Sequence, residues 1–304
     1  EQKIAYNNDG KVRWAGAFSQ LEYVSDEISA FVQVGISQQG FKRIDYFNYL
    51  DSDPEQETDW QNFIGGNIKG GVNWNIDENH NVFVNMGDYS KQPFFDAVFL
   101  GNENNINQNA RNEKVYGFEL GYGYTSEKLR ANINFYRTEW KDRFKRVSFR
   151  DGSLRGFADI QGLKQLHTGI EFDLTYDLSD KFRLVGMASV GDWEYAGSPS
   201  GIALSDQDSQ PIGTVKLYLD GVKVGNSAQT TARLGFDWDV AKNFRVDYSH
   251  RYAARLYASL NAEDFDSVEN DGSLQLPSYF LGDLGMSYKF DFKDSSNLNF
   301  RLNI

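Results

Sequence analysis

Two long runs of alternating residues, separated by a four-residue polar turn, occupy the stretch 114–143. Apolar or aromatic side chains stand at every second position over 116–124 and again over 129–135. A period of two is the side-chain period of a β-strand, so the stretch predicts an antiparallel hairpin with one apolar and one polar face. Each arm has about ten residues or more, which is the length that a tilted strand needs to cross a bilayer. A wall element of a membrane barrel and a sheet of a soluble sandwich both fit this hairpin taken alone.

Composition excludes several classes of protein. The chain of 304 residues has no apolar run long enough for a spanning helix, so an α-helical membrane protein is excluded. A net charge of −12 argues against a nucleic-acid partner, which would need a basic stripe. The absence of cysteine removes disulfides, thiolate metal sites and cysteine nucleophiles. Aromatic residues at 15% and 28 glycines against 5 prolines favour many strands joined by tight turns.

The hairpin pattern occurs six times, which predicts about twelve strands. Short polar turns are predicted inside the hairpins at 25–27, 77–79, 125–128, 179–181, 241–243 and 294–296. Long segments are predicted between the hairpins near 38–60, 91–113, 141–165, 196–227 and 256–277. A sandwich mixes short and long loops at both ends, whereas short turns at one end and long loops at the other are typical of outer-membrane barrels.

The charged residues of the strands fall on the polar face. Those that we predict to line the interior of a barrel and to face a plug are Lys69, Glu119, Arg130, Glu171, Asp173, Arg233, Asp237 and Arg245. Because a lysine or arginine facing lipid at mid-membrane costs roughly 2–4 kcal/mol, this segregation favours an apolar face in hydrocarbon. Aromatic residues near strand ends are predicted to form interfacial girdles, and they are Trp14, Trp74, Tyr122, Tyr124, Tyr176, Trp238 and Tyr248. We therefore predict one all-β domain over 1–304, an antiparallel transmembrane β-barrel.

Sequence motifs of catalysis or metal binding do not support an enzyme. His80, His167 and His250 lack metal-ligand spacing, and His167 is predicted to be a solvated or hydrogen-bonded residue of the barrel interior. There is no nucleophile elbow, phosphate-binding glycine loop or zinc-protease motif. The acidic loop 51–57 offers oxygen ligands for Ca²⁺ but lacks the spacing of an EF-hand, so a solvated loop is the favoured interpretation. No cofactor and no metal are expected.

Aromatic residues in the long segments are candidates for ligand binding, because loops carry recognition and aromatic rings supply contact area. The candidates are Tyr46, Tyr49, Trp60, Phe94 and Phe95. Packing of one loop against another explains the same residues equally well.

Four strings resemble the barrel of TonB-dependent outer-membrane receptors, most closely those of the Bacteroidetes. They are NHNVFVNMG at 79–87, KQPFF at 91–95, NEKVYGFELGY at 112–122 and YRTEWKDR at 136–143. The resemblance spans nearly the whole chain. It carries no information about the ligand.

The resemblance implies a barrel of about 22 strands with a plug inside it, in the outer membrane of a Gram-negative bacterium. It implies active import of a scarce ligand with energy from the TonB complex acting through the plug. Siderophore, haem, peptide and oligosaccharide all remain open as ligands. Membrane lipid or lipopolysaccharide, and a surface lipoprotein or other envelope component, are further partners that it implies.

The sequence departs from the family pattern in four respects. It shows no plug and no TonB box, and it has about twelve strands, the last of which has some seven residues. It ends at Ile304, where the family usually has an aromatic residue. We therefore expect a C-terminal portion of such a receptor. A passive pore or small barrel of about twelve strands, and a soluble β-rich binding or structural module, are the alternatives.

Overall fold

The structure is a computed structural model that describes residues 7–101, 103–206, 210–292 and 296–304. Numbered in chain order, its strands are β1 (Asn8–Val24), β2 (Ile28–Asp45), β3 (Gln61–Asn75), β4 (His80–Lys91), β5 (Phe99–Leu100), β6 (Asn105–Ile106), β7 (Glu113–Thr125), β8 (Leu129–Asp151), β9 (Leu154–Ser179), β10 (Phe182–Tyr195), β11 (Ile202–Asp206), β12 (Pro211–Val215), β13 (Ala228–Ala241), β14 (Phe244–Tyr257), β15 (Gln275–Leu276), β16 (Tyr279–Asp291) and β17 (Asn297–Asn303). The helical elements are α1 (Phe95–Val98) and two 3₁₀ turns, Pro54–Gln56 and Glu263–Phe265. Within the described residues, none of the helices has the length and apolar character to cross a membrane.

Twelve strands form one continuous antiparallel path in chain order, β1-β2-β3-β4-β7-β8-β9-β10-β13-β14-β16-β17. β11 and β12 extend this sheet from β9, β15 pairs with β14, and β5 and β6 form a separate small sheet. The prediction of an all-β antiparallel fold with about twelve main strands is confirmed, as is a last strand of seven residues. Among the described residues, β1 and β17 are the two ends of the path.

Five of the short turns lie where the alternation predicts them. β1 ends at Val24 and β2 begins at Ile28, and the turns at 77–79, 125–128, 179–181 and 241–243 fall between strands in the same way. The sixth turn, predicted at 294–296, lies between β16 and β17, but residues 293–295 are outside the described residues. Because each turn is short, it joins sequential strands as direct neighbours, which sets the pairing within each hairpin.

Pairing confirms that the strands have an apolar face and a polar face. Leu120 lies opposite Val84 on one side and Phe135 on the other, and directly opposed residues share a face of the sheet. Apolar-face side chains are largely exposed, for example Ile36 at 62% and Leu234 at 63%. This is the surface that the sequence predicts to contact lipid.

Two glycines of the polar face lie close to large side chains of neighbouring strands. A Cβ atom added to Gly71 or Gly121 would collide with the polar-face side chains of Asn85 and Phe83 respectively. A Cβ added to Gly186, on the apolar face, would meet its nearest atom at 3.7 Å. Glycine therefore makes room for large neighbours on the polar side of the sheet.

The register shows that apolar residues form a band oblique to the rows of paired residues. One row of directly opposed residues runs from Val34 through Ile68 to Asp88, Tyr116 and Glu139. Over these five strands the row changes from apolar residues to charged ones. An apolar band that crosses the rows obliquely is expected where strands tilt by about 35–45° against the axis of a barrel.

The first strand corrects the prediction for Trp14. Trp14 pairs with Gln39 and Phe18 pairs with Gly35, so both aromatic side chains lie on the polar face, whereas Ala17 lies opposite Ile36 on the apolar face. The assignment of Trp14 to a lipid-facing girdle is therefore wrong. Alternation within β1 separates two sets of side chains, but only the pairing with β2 decides which set lies on which face.

The predicted long connection at 141–165 is also wrong. β8 continues to Asp151 and β9 begins at Leu154, with Gly152 in the turn at a φ of +57°. Backbone pairing between β8 and β9 persists through this polar stretch, although the alternation of side chains does not. The sequence pattern ends before the strands do, because hydrogen bonding between strands does not require an apolar face.

Buried apolar residues gather at the end of the sheet that carries the long connections. The larger group, here named the loop core, consists of Val147, Ala158, Ile160, Leu163, Tyr195, Ile202, Leu204, Leu217, Leu219, Val222, Leu260, Ala262 and Phe265. A smaller group, the first-loop cluster, has Phe41, Val98 and Phe99 at its centre. The connections thus pack against one another, while the apolar face of the strands stays uncovered by protein.

Candidate functional site

Two bulges occur where β8 and β9 leave the regular part of the sheet. Trp140 lies opposite Gln165, but the next partners are Arg143 with Leu163 and then Lys145 with Ile160. One extra residue is thus inserted first in β8 and then in β9. The insertions coincide with left-handed backbone at Asp142 (φ +57°) and Gly162 (φ +83°).

The first bulge changes the direction of the side chains that follow it. In the regular part of β8, odd-numbered residues such as Ile133 and Phe135 lie on the apolar face. After the bulge, Arg143 and Lys145 lie on the polar face, on the same side as Gln165. The bulge therefore places two cations at the end of the polar face nearest the long connections, which is called its top below.

A continuous set of polar and aromatic contacts extends from Arg143 down the polar face. Gln165 Oε1 lies 2.5 Å from Arg143 Nη1 and 3.3 Å from His167 Nε2. The imidazole of His167 stacks on the indole of Trp193, with centroids 5.2 Å apart and planes inclined by 15°. Trp193 Nε1 donates a hydrogen bond of 2.8 Å to the hydroxyl of Tyr136. We name these five residues, from three neighbouring strands, the junction cluster.

Two glycines provide the space for the rings of the junction cluster. A Cβ atom at Gly169 would overlap the phenol of Tyr136. A Cβ at Gly191 would come within 2.6 Å of Trp193 Nε1. Any larger residue at these two positions would displace the rings from the wall.

Positive charge exceeds negative charge around the cluster. Glu113 is 2% exposed, and its carboxylate lies 3.2 Å from Lys91 Nζ and 3.9 Å from Arg143 Nε. In the described parts of the chain, Lys145 has no carboxylate within ion-pair distance. Burial, together with the neighbouring Arg143 cation, lowers the pKa of Lys145 below its ordinary value. The polar face thus holds Lys91, Arg143 and Lys145 against one carboxylate at this point.

The remaining nearby charges are paired. Arg146, which points away from the polar face, makes a bidentate pair with Asp159 at 2.6 and 2.8 Å. Arg111 pairs with Asp142 at 3.0 Å. Neither of these two carboxylates is available to Lys145.

Three of the predicted loop residues lie near the first long connection. Tyr46 is 38% exposed and donates a hydrogen bond of 3.2 Å to Asp9. Trp60 lies beneath the guanidinium of Arg13, with 4.3 Å between the guanidinium carbon and the ring centre. Tyr49 is exposed. The structure does not place these three side chains in the junction cluster, and their role in ligand binding stays a prediction.

The two adjacent phenylalanines of the second connection occupy different surroundings. Phe94 is 53% exposed, and Lys91 Nζ lies 3.7 Å from the centre of its ring. Phe95 packs against Phe41 at 6.0 Å and Phe99 at 4.9 Å, in the first-loop cluster. Phe94 is therefore connected to the junction cluster through Lys91 and Glu113, while the contacts of Phe95 are those of loop packing. Ligand binding by either residue stays a prediction.

The eight charges predicted to face a plug share the polar face. Asp237 pairs with Arg245 at 2.6 Å, and Glu119 accepts a hydrogen bond of 3.3 Å from Asn85. The others have no ion pair within the described residues, and they are Lys69, Arg130, Glu171, Asp173 and Arg233. Contact of these side chains with a plug stays a prediction.

Sequence reasoning placed His167 in the interior but missed Arg143, Lys145, Gln165 and Trp193 as one group. The signal was present in the sequence as the loss of alternation after Trp140. Within one segment, that signal indicates the start of a loop. Only the partner strand shows that it marks a pair of bulges inside a continuing hairpin.

The acidic loop 51–57 is partly neutralised by lysines. Glu57 lies 2.9 Å from Lys42 and 3.3 Å from Lys11, and these two cations lower the pKa of its carboxyl. Over the described ranges of the chain, no group of three or more His, Asp or Glu side chains has an arrangement suited to a metal ion.

Comparison with known proteins supplies the family. The model of the "TonB dependent receptor-like, beta-barrel" family matches residues 4–304. No curated protein matches the sequence. Among solved structures, the chain resembles the copper transporter OprC at 14% identity and a TM-score of 0.66, covering 92% of this chain and 40% of that one.

Two further structures show the same likeness. The siderophore receptor PiuA from Acinetobacter baumannii is 15% identical with a TM-score of 0.66, covering 97% of this chain and 39% of that one. The ferric citrate transporter FecA in its unliganded form is 14% identical with a TM-score of 0.66, covering 100% of this chain and 42% of that one. The chain thus spans about two fifths of the length of these structures.

The match of a family model to nearly every residue agrees with the chain order of the hairpins, the alternating faces and the separation of short turns from long connections. The chain belongs to the TonB-dependent receptor-like β-barrel family.

Proposed function

We propose that this chain is the C-terminal part of the barrel of an outer-membrane receptor that captures a scarce small ligand and imports it with TonB-supplied energy. The observation that carries the proposal is the family match over residues 4–304. In this proposal the twelve-strand path is wall, the apolar face contacts lipid or lipopolysaccharide, and the polar face lines the lumen. The short turns are periplasmic and the long connections extracellular.

The roles of similar proteins of known structure support a transport role. PiuA is a siderophore receptor, FecA a ferric citrate transporter and OprC a copper transporter. Siderophore, haem, peptide and oligosaccharide are the ligand classes that we propose to compare. We also keep as proposals a kinship with the Bacteroidetes receptors and a surface lipoprotein or other envelope component as partner.

The polar face supports a contact with a plug. Lys69, Glu171 and Arg233 project from three different strands without an ion-pair partner in the described residues. A plug must be held in place and also released. Charges of both signs on a hydrated surface suit such a plug, since an ion pair that excludes water is costly to break. We propose that the plug of the complete receptor supplies their partners and carries the TonB contact.

Uptake measurements test the transport proposal. A strain lacking the gene that encodes this chain is compared with the same strain carrying the gene again, for each of the four ligand classes. We expect uptake of one class to depend on the gene and to stop when a protonophore collapses the proton gradient. Uptake that depends on the gene but survives the protonophore would indicate a passive pore instead.

A further inference from the structure

The cations at the top of the polar face lack matching negative charge, although the chain as a whole carries a net charge of −12. These cations are Lys91, Arg143 and Lys145. Within the described residues, Glu113 is the one carboxylate within ion-pair distance of any of these three cations, and it already lies 3.2 Å from Lys91. Since the acids outnumber the bases in the sequence, such a local excess does not follow from composition.

Lys145 is the least compensated of the three. It lies opposite Ile160, which is 0% exposed, and two residues before Val147, which is 6% exposed. Both apolar residues belong to the loop core, so Lys145 follows Arg143 into a stretch whose neighbours on the same face are buried and apolar. The lowered pKa of Lys145 has the same origin. In such surroundings an incoming negative charge interacts more strongly than it would in water.

The backbone positions these cations by an irregular conformation. Regular pairing would direct Arg143 toward the apolar face, and the bulge at Asp142 turns it to the polar face instead. Bulges that re-aim a side chain are found next to functional sites. Departures from the regular strand pattern of this kind are expected at functional or strained sites.

Flat aromatic surface adjoins the cations. Gln165 Oε1 joins Arg143 to His167, and the stacked rings of His167 and Trp193 continue down the face to Tyr136. The hydrogen bond from Trp193 to Tyr136 and the glycines at 169 and 191 fix these rings against the wall. A planar group lying along the rings would direct a negatively charged substituent toward Arg143 and Lys145.

We propose that the junction cluster together with Lys145 is a subsite for a planar anionic group, one that carries carboxylate or a similar charge on an aromatic or conjugated frame. The proposal rests on the proposed receptor function and names the chemical class of its ligand. Arg143 and Lys145 bind the charge, and the His167–Trp193 stack contacts the plane.

Calorimetric titration of the purified whole receptor in detergent tests the subsite with phthalate as the probe. Dimethyl phthalate has the same ring without charge and serves as the matched neutral compound. We expect phthalate to bind at least about tenfold more tightly, because charge-assisted hydrogen bonds to a partly buried cation are strong. Equal affinity for the two compounds would overturn the proposal.

Lys145→Gln is the principal variant, because it removes the charge without removing any partner within the described residues. We expect phthalate binding to weaken about tenfold, binding of dimethyl phthalate to stay unchanged, and Lys145→Arg to retain the affinity. Arg150→Gln, on the opposite face of β8 at the tip of the hairpin, is the control and should change neither affinity.

Thermal unfolding of the same variants separates a ligand subsite from a structural one. Removal of an uncompensated cation beside Arg143 should leave the unfolding temperature unchanged or raise it. If an acidic residue of the plug pairs with Lys145, Lys145→Gln should lower the unfolding temperature instead, and that result would overturn the proposal. Titration does not depend on TonB, so a failure of energy-dependent uptake would remove the transport proposal without deciding the subsite.

Discussion

Isoleucine and leucine are exposed on the apolar face of the strands, which we call the wall, and buried in the loop core. Ile36 and Leu234 on the apolar face of the sheet are 62% and 63% exposed. Ile160 and Leu217 in the loop core are 0% exposed. In the wall, each strand pairs with its neighbours through the backbone, and its apolar side chains project outward. These apolar side chains must be shielded from water by something outside the chain. In the proposed outer-membrane location, lipid shields them.

The loop core obtains its cover from within the chain. It combines the extended tips of β8 and β9 with β11 and with residues from two later connections, including Leu217 and Phe265. These parts are far apart in sequence, so the core forms only when several connections fold together. The later long connections are therefore packed together around a buried core and are not separate flexible loops.

The largest expected effect is in the loop core. Leu217→Ala should cost about 2–5 kcal/mol, because the cavity lies in a fully enclosed site. In the intact receptor this should open the connections to added protease while the strands remain protected. Leu234→Ala, an identical change on the exposed apolar face, is the control. Equal protease sensitivity in the two variants would contradict the distinction between the regions.

The converse change tests the wall. Leu234→Arg should cost roughly 2–4 kcal/mol in a bilayer, because it places a cation in hydrocarbon. Val185→Arg is the matched control, since Val185 lies on the polar face opposite Gly235, the residue next to Leu234. The folded fraction in lipid vesicles, measured from heat-modifiable migration in gels, should fall for the first variant alone. If both variants fold equally well, the apolar face does not contact lipid.

Ion pairs in the two regions should also differ. Asp159 is 10% exposed and makes a bidentate pair with Arg146, whereas Asp237 is 32% exposed and pairs with Arg245, which is 48% exposed. Asp159→Asn should destabilise the loop core by about 1–3 kcal/mol, since a half-buried guanidinium loses its charged partner. Asp237→Asn should cost less than about 1 kcal/mol. Urea titrations followed by proteolysis measure the loss of stability in each variant. A larger loss in Asp237→Asn than in Asp159→Asn would contradict the comparison.

The smallest expected effect concerns pH and the first-loop cluster. Burial, with a further contribution from the negative charge of Asp45, raises the pKa of Glu103 above its ordinary value. The ionised form is thus disfavoured in the folded state, so stability declines as pH rises through the raised pKa and recovers toward lower pH. Glu103→Gln should slow hydrogen exchange over 95–106 at pH 7 and have no effect near pH 4, below the ordinary pKa of glutamate.

Glu55→Gln, at an exposed glutamate of the neighbouring connection, is the control for that measurement. It should change exchange at neither pH. Faster exchange at pH 7 in Glu103→Gln would show that the ionised carboxylate stabilises the cluster, contrary to the expectation.

Much of the wall is encoded locally, because alternation and turn residues act over a few positions. The turns at 25–27 and 179–181 and the shared faces of Leu120 and Val84 are examples. Trp14 shows the limit of such reasoning. Its alternation is regular, but the pairing of β1 with β2 places it on the polar face.

The junction cluster could not be predicted in the same way. Arg143 and Lys145 follow a stretch that lost its alternation, and the direction of their side chains depends on extra residues in two strands at once. Their relation to Trp193 depends on a third strand, β10. A pattern within one segment contains no information on either point.

By itself, the sequence determined that this protein is a series of antiparallel hairpins with one apolar face, short turns at one end and long connections at the other. It did so because side-chain period and turn chemistry are properties of neighbouring residues. The tertiary structure decided which face receives Trp14, that β8 and β9 continue past the apolar band, and that two bulges turn Arg143 and Lys145 to the polar face. Those features depend on register between strands, which is set by partners that lie tens of residues away.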